Sequence, residues 1–277
     1  MIERIRPIYR GSLEDFVWVG FGSGSGTNLR ECAKVIPPKA VFSDKPSAKL
    51  LKLEELSDVP KLVLDGYKAC RSWKKAQGDE RAEVEYENRC RDFNYQILEG
   101  LLNFEEEIGK PIDLIVLGGY MRFVMDPLLS HYKDKMINVH PSRLPSWGEN
   151  NERYYIGGDA VYDAIKDDQA STRSSVIMVD EGEDHGEILT QGPSVGVWGE
   201  FGHGTKAEKE ECLREYADAH QSFQKVRSDW PALTTALKLI AEGRLALGNL
   251  KFFHNEWRRV FVDGEPMGYE GFQVGGR

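Results

Sequence analysis

The residues best suited to chemistry sit in "MINVHPSRLP", residues 136 to 145, where Asn138 and His140 end a short apolar run. In an extended strand, residues two apart project to the same side, so the amide and the imidazole face one space. Pro141 holds His140 in an extended backbone conformation and restrains the direction of its ring. An amide donor beside an imidazole suits a carbonyl whose oxygen becomes negative as a nucleophile attacks. One such donor is worth about 2.7–4 kcal/mol in a transition state. The residues also fit a plain strand end, with the histidine bonded to a neighbouring carbonyl.

A carboxylate to serve that pair is offered by "VDEGEDHGEIL", residues 179 to 189. Glu181 and Glu183 read as solvated turn residues. Asp184 differs, because its D-x-G-x-I arrangement places it just before a second apolar run, where it could orient His140 and relay a proton through water. His185, next to it, is a rival base.

A third candidate is "GFGSGSGTNL", residues 20 to 29, between a strand and a helix. Backbone N–H groups at such a junction cradle anions. A dinucleotide fingerprint is excluded by counting: from Gly20, Gly22 or Gly24, the last glycine of G-x-G-x-x-G falls on Ser25, Thr27 or Leu29. A P-loop fails too, since Thr27 rather than lysine follows Gly26. What survives is a phosphate or carboxylate site at a helix start, with Thr27 and Asn28 as added donors. The alternative is a strand–helix turn with one of those two side chains as the cap.

The elements that must position these residues alternate strand and helix, which predicts an α/β, Rossmann-like fold. Its central sheet is mostly parallel and flanked by helices. Strands are expected in 15–22, 39–44, 60–65, 113–120 and 136–140. Helices are expected after the glycine loop, over 46–56 from Pro46, over 80–109 to its terminal glycine, in 126–134, in 159–168 and through much of 207–245, where Pro231 breaks or restarts the pattern. Residues 174–180 and 186–197 read as an antiparallel pair toward the C-terminal part. No linker divides the chain, so 1–277 is expected as a single domain, with 1–14 an N-terminal extension and about 248–277 a hairpin and tail.

Composition bounds the partners. The 277 residues carry a formal charge of −9, which argues against nucleic acid, a partner that needs a basic face. No run approaches the ~18 apolar residues of a membrane span, and the start lacks a signal-peptide core. The four cysteines, Cys32, Cys70, Cys90 and Cys212, form no CxxC pair. They read as reduced thiols of a cytoplasmic protein, and no metal-ligand spacing is present.

These residues together resemble the glycinamide ribonucleotide formyltransferases of purine biosynthesis. The matching segments are "GSGSGTNLRE", "VFSDKPSA", "DLIVLGGYMRFV", "MINVHPSRLP", "VIMVDEGEDHGEIL" and "WPALTTALKLIAEGRL", spread over about residues 16 to 247. "NVHPSRLP" with the downstream D-x-G is shared by the wider group of folate-dependent formyltransferases, and the glycine loop and "LGGYMRFV" narrow it. The resemblance implies transfer of a formyl group from the co-substrate 10-formyltetrahydrofolate to the amine of 5-phosphoribosylglycinamide, with no metal. It implies a catalytic trio of Asn138, His140 and Asp184, and a substrate phosphate held by Gly26, Thr27 and Asn28. It also implies a folate pocket lined by Met121, Arg122, Phe123 and Val124 with Val179, Asp180 and Glu181. Small-molecule partners and a monomer or homodimer are expected.

The chain departs from that pattern on the acceptor side. After "HPSRLP" it runs through the long "SWGENNERYYIGGDAVYDA", without the family's further histidine and with Arg143, Arg153, Tyr154 and Tyr155 nearby. Val226 stands where the family has an acidic residue before Trp230-Pro231. The charged 66–90 segment is also long. A different amine on the same donor, such as an amino sugar nucleotide, is therefore the alternative. A hydrolase of the donor is disfavoured because a first strand near residue 15 leaves no room for that subfamily's leading regulatory domain. A catalytically idle binding protein is disfavoured by Asn138, His140 and Asp184 standing together.

Overall fold

In the computed structural model, residues 3–145, 152–199 and 205–275 are described. They form two compact units, Glu14–Asn138 with Val179–Glu181, and Met1–Leu13 with Val139–Met178 and Gly182–Arg277. The chain passes between them at residues 13–14, inside a strand at 138–139, and on either side of residues 179–181.

In chain order, β1 (Ile5–Pro7) belongs to the second unit, and the first unit begins with β2 (Trp18–Phe21). Then follow α1 (Thr27–Val35), β3 (Ala40–Ser43), β4 (Lys61–Val63), α2 (Gly66–Cys70), α3 (Trp73–Ala76), α4 (Glu80–Ile108), β5 (Leu114–Leu117), α5 (Leu128–His131) and β6 (Met136–His140). Within this unit the strands lie in the order β6-β5-β2-β3-β4, and every pairing is parallel. All residues of β2, β3 and β5 are buried, as expected of parallel strands covered on both faces. Helix α4 supplies much of that cover through Tyr86, Cys90, Phe93, Ile97, Leu101 and Phe104, spaced three or four apart on one stripe. Asp79 caps its first turn and Gly109 ends it at φ +67°, a left-handed conformation suited to glycine.

The helix expected over 46–56 is instead two short 3₁₀ turns, Lys49–Lys52 and Glu54–Leu56. Tertiary contacts override its local preference: Leu50 N donates to Gly24 O at 3.0 Å, and Leu50 and Leu56 are fully buried. This seats Leu50 beneath the glycine loop. Helices α2 and α3 had no forecast from the charged 66–90 segment.

The second unit holds α6 (Ala160–Lys166), β7 (Ser171–Thr172), β8 (Ser175–Met178), β9 (Ile188–Gln191), β10 (Val195–Gly196), α7 (Lys206–Gln224), α8 (Trp230–Ala241), β11 (Leu245–Phe253), β12 (Trp257–Val262), β13 (Glu265–Pro266) and β14 (Phe272–Gln273). The expected antiparallel pair is β8 with β9, while residues 195–196 leave it to pair with β7. The N-terminal extension contributes β1 to a sheet ordered β1-β11-β12-β13, so the tail hairpin starts at Leu245 and has β1 on its flank. Between α7 and α8 the chain makes a π-turn over Lys225–Asp229, and Pro231 falls in the first turn of α8.

Candidate active site

Strand β6 carries Asn138, half-buried, and His140, buried, at alternate positions. Past His140 the backbone is held by polar groups of β8 and β9. Ser175 Oγ donates to Ser142 O at 2.7 Å, and Gln191 Nε2 donates to Arg143 O at 2.8 Å. Ser142 Oγ in turn accepts from Leu144 N at 3.0 Å, closing a tight turn that fixes the exit of the strand.

The D-x-G turn brings its acid to the ring: His140 Nδ1 lies 3.1 Å from Asp184 Oδ2, with the two side chains only 5% and 10% exposed. Gly157 N donates to the same oxygen at 2.9 Å. Asp184 stands at φ +47°, a left-handed conformation that aspartate tolerates better than most residues. Gly186 is required by close approach, since a Cβ there would lie 1.9 Å from the Met178 carbonyl oxygen. The other ring nitrogen, Nε2, is 2.8 Å from Tyr155 O. Both ring nitrogens therefore face acceptor oxygens. His185, the rival base, instead pairs with Glu256 at 3.1 Å and lies against the Trp257 ring.

A cavity of about 650 Å³ is lined by Pro141, Arg143, Tyr154, Tyr155, Thr172 and Glu270 among others, and neither His140 nor Asp184 is part of its lining. Arg143, Tyr154 and Tyr155, which depart from the family pattern, thus share one cavity, where Arg143 faces Glu270 at 3.6 Å. Residues 146–151 of that inserted stretch, Trp147 among them, lie outside the described residues. Val226 is exposed on the π-turn, whereas Asp229 of the same turn is buried and accepts from Ser174 Oγ at 2.5 Å.

In the first unit, the capping alternative for the glycine loop is not realised. The residue before α1 is Gly26 at φ +70°, and no side chain caps the helix. A Cβ at Gly26 would come within 2.5 Å of Leu50, so the loop backbone depends on glycine. Thr27 opens the helix. Asn28 is buried, with Oδ1 lacking a partner among the described residues. An uncapped helix start attracts an anion, because its first N–H groups and the helix dipole point the same way.

The segment Met121–Val124 hangs on anchors that the sequence reading did not single out. Met121 N donates to Ser23 Oγ at 3.0 Å, and Ser23 Oγ donates to Asp44 Oδ1 at 2.5 Å. Arg122 Nε binds Asp44 Oδ2 at 2.7 Å, so its guanidinium is committed to that carboxylate. The glycine loop and the 121–122 turn are tied together by this chain. Asn94, buried within α4, donates to Phe123 O at 3.0 Å and accepts from Met125 N at 3.1 Å. Its signal in the sequence was an amide on the buried stripe of an otherwise apolar helix face. Val124 and Val179 pack against the same core, and Val179 N donates to Met136 O at 2.9 Å. Asp180 is half-buried and Glu181 exposed.

Among the described residues, no group of three or more His, Cys, Asp or Glu is placed to hold a metal ion, and no helix is long and apolar enough to cross a membrane.

Comparison with known proteins converges on one family. A family model described as formyl transferase matches residues 21–195. The phosphoribosylglycinamide formyltransferase of Bacillus subtilis (strain 168) is 30% identical over 178 residues, 62% of this chain and 75% of that protein. The trifunctional purine biosynthetic protein adenosine-3 of Homo sapiens is 29% identical over 106 residues, of which the match spans only 10% of that longer protein. In fold, the chain is similar to the phosphoribosylglycinamide formyltransferase of Coxiella burnetii, with TM-score 0.59 and 23% identity over 94% of this chain and 99% of that one. With more than half of its residues matched by the family model, the chain belongs to the formyl transferase family.

Proposed function

We propose that the protein is a cytoplasmic phosphoribosylglycinamide formyltransferase, moving the formyl group of 10-formyltetrahydrofolate to the primary amine of 5-phosphoribosylglycinamide in purine biosynthesis. The observation that carries the reading is the 3.1 Å pairing of His140 Nδ1 with Asp184 Oδ2, on a strand that also bears Asn138. The similarity to the Bacillus subtilis enzyme supports this acceptor.

The reaction makes a C–N bond on the acceptor, breaks the donor C–N bond and moves one proton from acceptor to donor nitrogen. Only a neutral amine attacks, and a group with an ordinary pKa of about 7.7–8.0 is partly neutral near pH 7. The main tasks left to the protein are orientation, oxyanion stabilisation and proton movement. The Asn138 amide and the His140 ring donate to the formyl oxygen as it gains charge. Asp184 holds the ring by Nδ1 and accepts the amine proton through water. For Nε2 to reach the formyl oxygen, the Tyr155 carbonyl, 2.8 Å away, must give way as substrate enters.

Gly26, Thr27 and Asn28 would take the substrate phosphate at the start of α1. The donor's pterin would lie along Met121–Val124 and Val179–Glu181. The fit is favourable: Met121 is 74% and Phe123 39% exposed, so two apolar side chains are presented to a flat ring by a backbone anchored from behind. Arg122 serves that backbone through Asp44. The free thiols Cys32, Cys70, Cys90 and Cys212 suit a reducing compartment.

Soaking crystals with inorganic phosphate tests the acceptor side. Density at the N–H groups of Gly26 to Asn28 is expected. Phosphate bound elsewhere, with that loop empty at saturating concentration, would remove the loop from the reading.

A further inference from the structure

Asp184 is kept against His140 by more than its own loop. The carbonyls of residues 184, 185 and 186 are all taken up by two side chains from distant parts of the sequence. Arg153 Nη1 donates to Asp184 O at 2.7 Å and to Gly186 O at 2.8 Å. Trp257 Nε1 donates to His185 O at 2.5 Å. The guanidinium carbon lies 4.6 Å from the centre of the Trp257 ring. Its Nε donates to Tyr269 OH at 2.9 Å, and that hydroxyl donates to Leu144 O at 3.0 Å. Trp257 is only 2% exposed.

We infer that Arg153, seated against Trp257 and Tyr269, is a positioning residue for formyl transfer: it fixes the 184–186 turn and thereby aims the Asp184 carboxylate at His140. The inference rests on the proposed roles of His140 and Asp184. Asp184 turns through a left-handed conformation, and a planar guanidinium with fixed donors can hold the two carbonyls of that turn at once. It also gives the C-terminal hairpin and tail a task, since β12 brings Trp257 and the stretch after it brings Tyr269. Arg153 lies in the inserted stretch that follows His140 in sequence, so one segment supplies Tyr155 O to the ring, Gly157 N to the carboxylate and Arg153 to the turn.

The experiment compares wild type with Arg153→Ala, Arg153→Lys, Asp184→Asn and the Arg153→Ala/Asp184→Asn pair, with folding checked by circular dichroism. Loss of aim predicts kcat down by about 10- to 100-fold in Arg153→Ala, with both KM values within about threefold of wild type. Arg153→Lys should recover part of the rate. The paired variant should be no slower than Asp184→Asn alone, because both remove the same interaction. The His140 Nδ1–H resonance in nuclear magnetic resonance should move in Arg153→Ala. Unchanged kcat, multiplying losses in the paired variant, or an unmoved His140 signal would each overturn the inference. If Arg153→Ala does not fold, Trp257→Phe removes the donor to His185 O and trims the ring under the guanidinium while keeping an aromatic side chain, and must itself lower kcat and move that signal. A wild-type protein without formyl transfer would defeat the proposed function instead, and the His140 resonance would then decide the clamp alone.

Discussion

Gly186→Ala puts the local geometry of the site under direct test. The added Cβ would meet the Met178 carbonyl oxygen at 1.9 Å and its carbon at 2.7 Å. Neither atom can swing aside like the end of a flexible side chain. Met178 is fixed in β8 and its N–H is bonded to Glu187 O at 3.0 Å. Relief requires the turn to move by roughly 1 Å or more, and over-packing of this kind costs about 1–3 kcal/mol. For a chain of this size that corresponds to a melting temperature lower by about 2–12 °C. The same displacement carries Asp184 off the His140 ring, and a misplacement of about 1 Å costs about 100-fold in rate. Calorimetry and steady-state formyl transfer measure the two effects on one sample. Gly158→Ala is the control, because a Cβ there meets nothing within 4 Å. If Gly186→Ala melts and turns over like Gly158→Ala, this turn does not set the catalytic geometry.

Three further outcomes are expected. Arg122→Met leaves Asp44 buried without its opposite charge and should cost about 3–5 kcal/mol in urea unfolding; a loss below about 1 kcal/mol would show that the pair does not hold the 121–122 turn. Gly26→Ala strains a left-handed position at about 1–2 kcal/mol and crowds Leu50. It should raise the acceptor KM at least about tenfold while sparing the donor KM, and an unchanged acceptor KM would count against the phosphate loop. Burial holds the His220 imidazole below its ordinary pKa of 6.5, with Nε2 2.7 Å from Thr172 Oγ1. The unfolded chain therefore takes up this proton first as pH falls, and the stability this group contributes is lost from near 6.5 downward. His220→Gln should flatten the melting-temperature curve on its acid side, and a curve parallel to wild type would exclude His220 as a cause.

The parts of the site legible in the sequence were those governed by short-range rules. Alternation placed Asn138 and His140 together on β6, the D-x-G spacing singled out Asp184, and counting glycines excluded a dinucleotide loop. Periodicity and the terminal Gly109 gave the long helix α4 nearly to the residue. What escaped depends on contacts between distant segments. Nothing local in "PSAKLLKLEEL" reveals that Leu50 is drawn under the glycine loop, so a helical pattern became two 3₁₀ turns. The chain from Met121 through Ser23 and Asp44 to Arg122 joins residues far apart in sequence, so the pairing of Arg122 with Asp44 has no local signal. Likewise the Tyr155 carbonyl on His140 is a backbone group, which residue type cannot announce.

Formyl transfer itself is measured by mixing purified protein with 10-formyltetrahydrofolate and 5-phosphoribosylglycinamide, then following tetrahydrofolate release with the N-formyl product by mass spectrometry. Release is expected only when the acceptor is present, with a loss of about 10²- to 10³-fold on His140→Ala in a folded protein. Release without the acceptor, release only with another amine, or a His140→Ala rate near wild type would contradict this expectation.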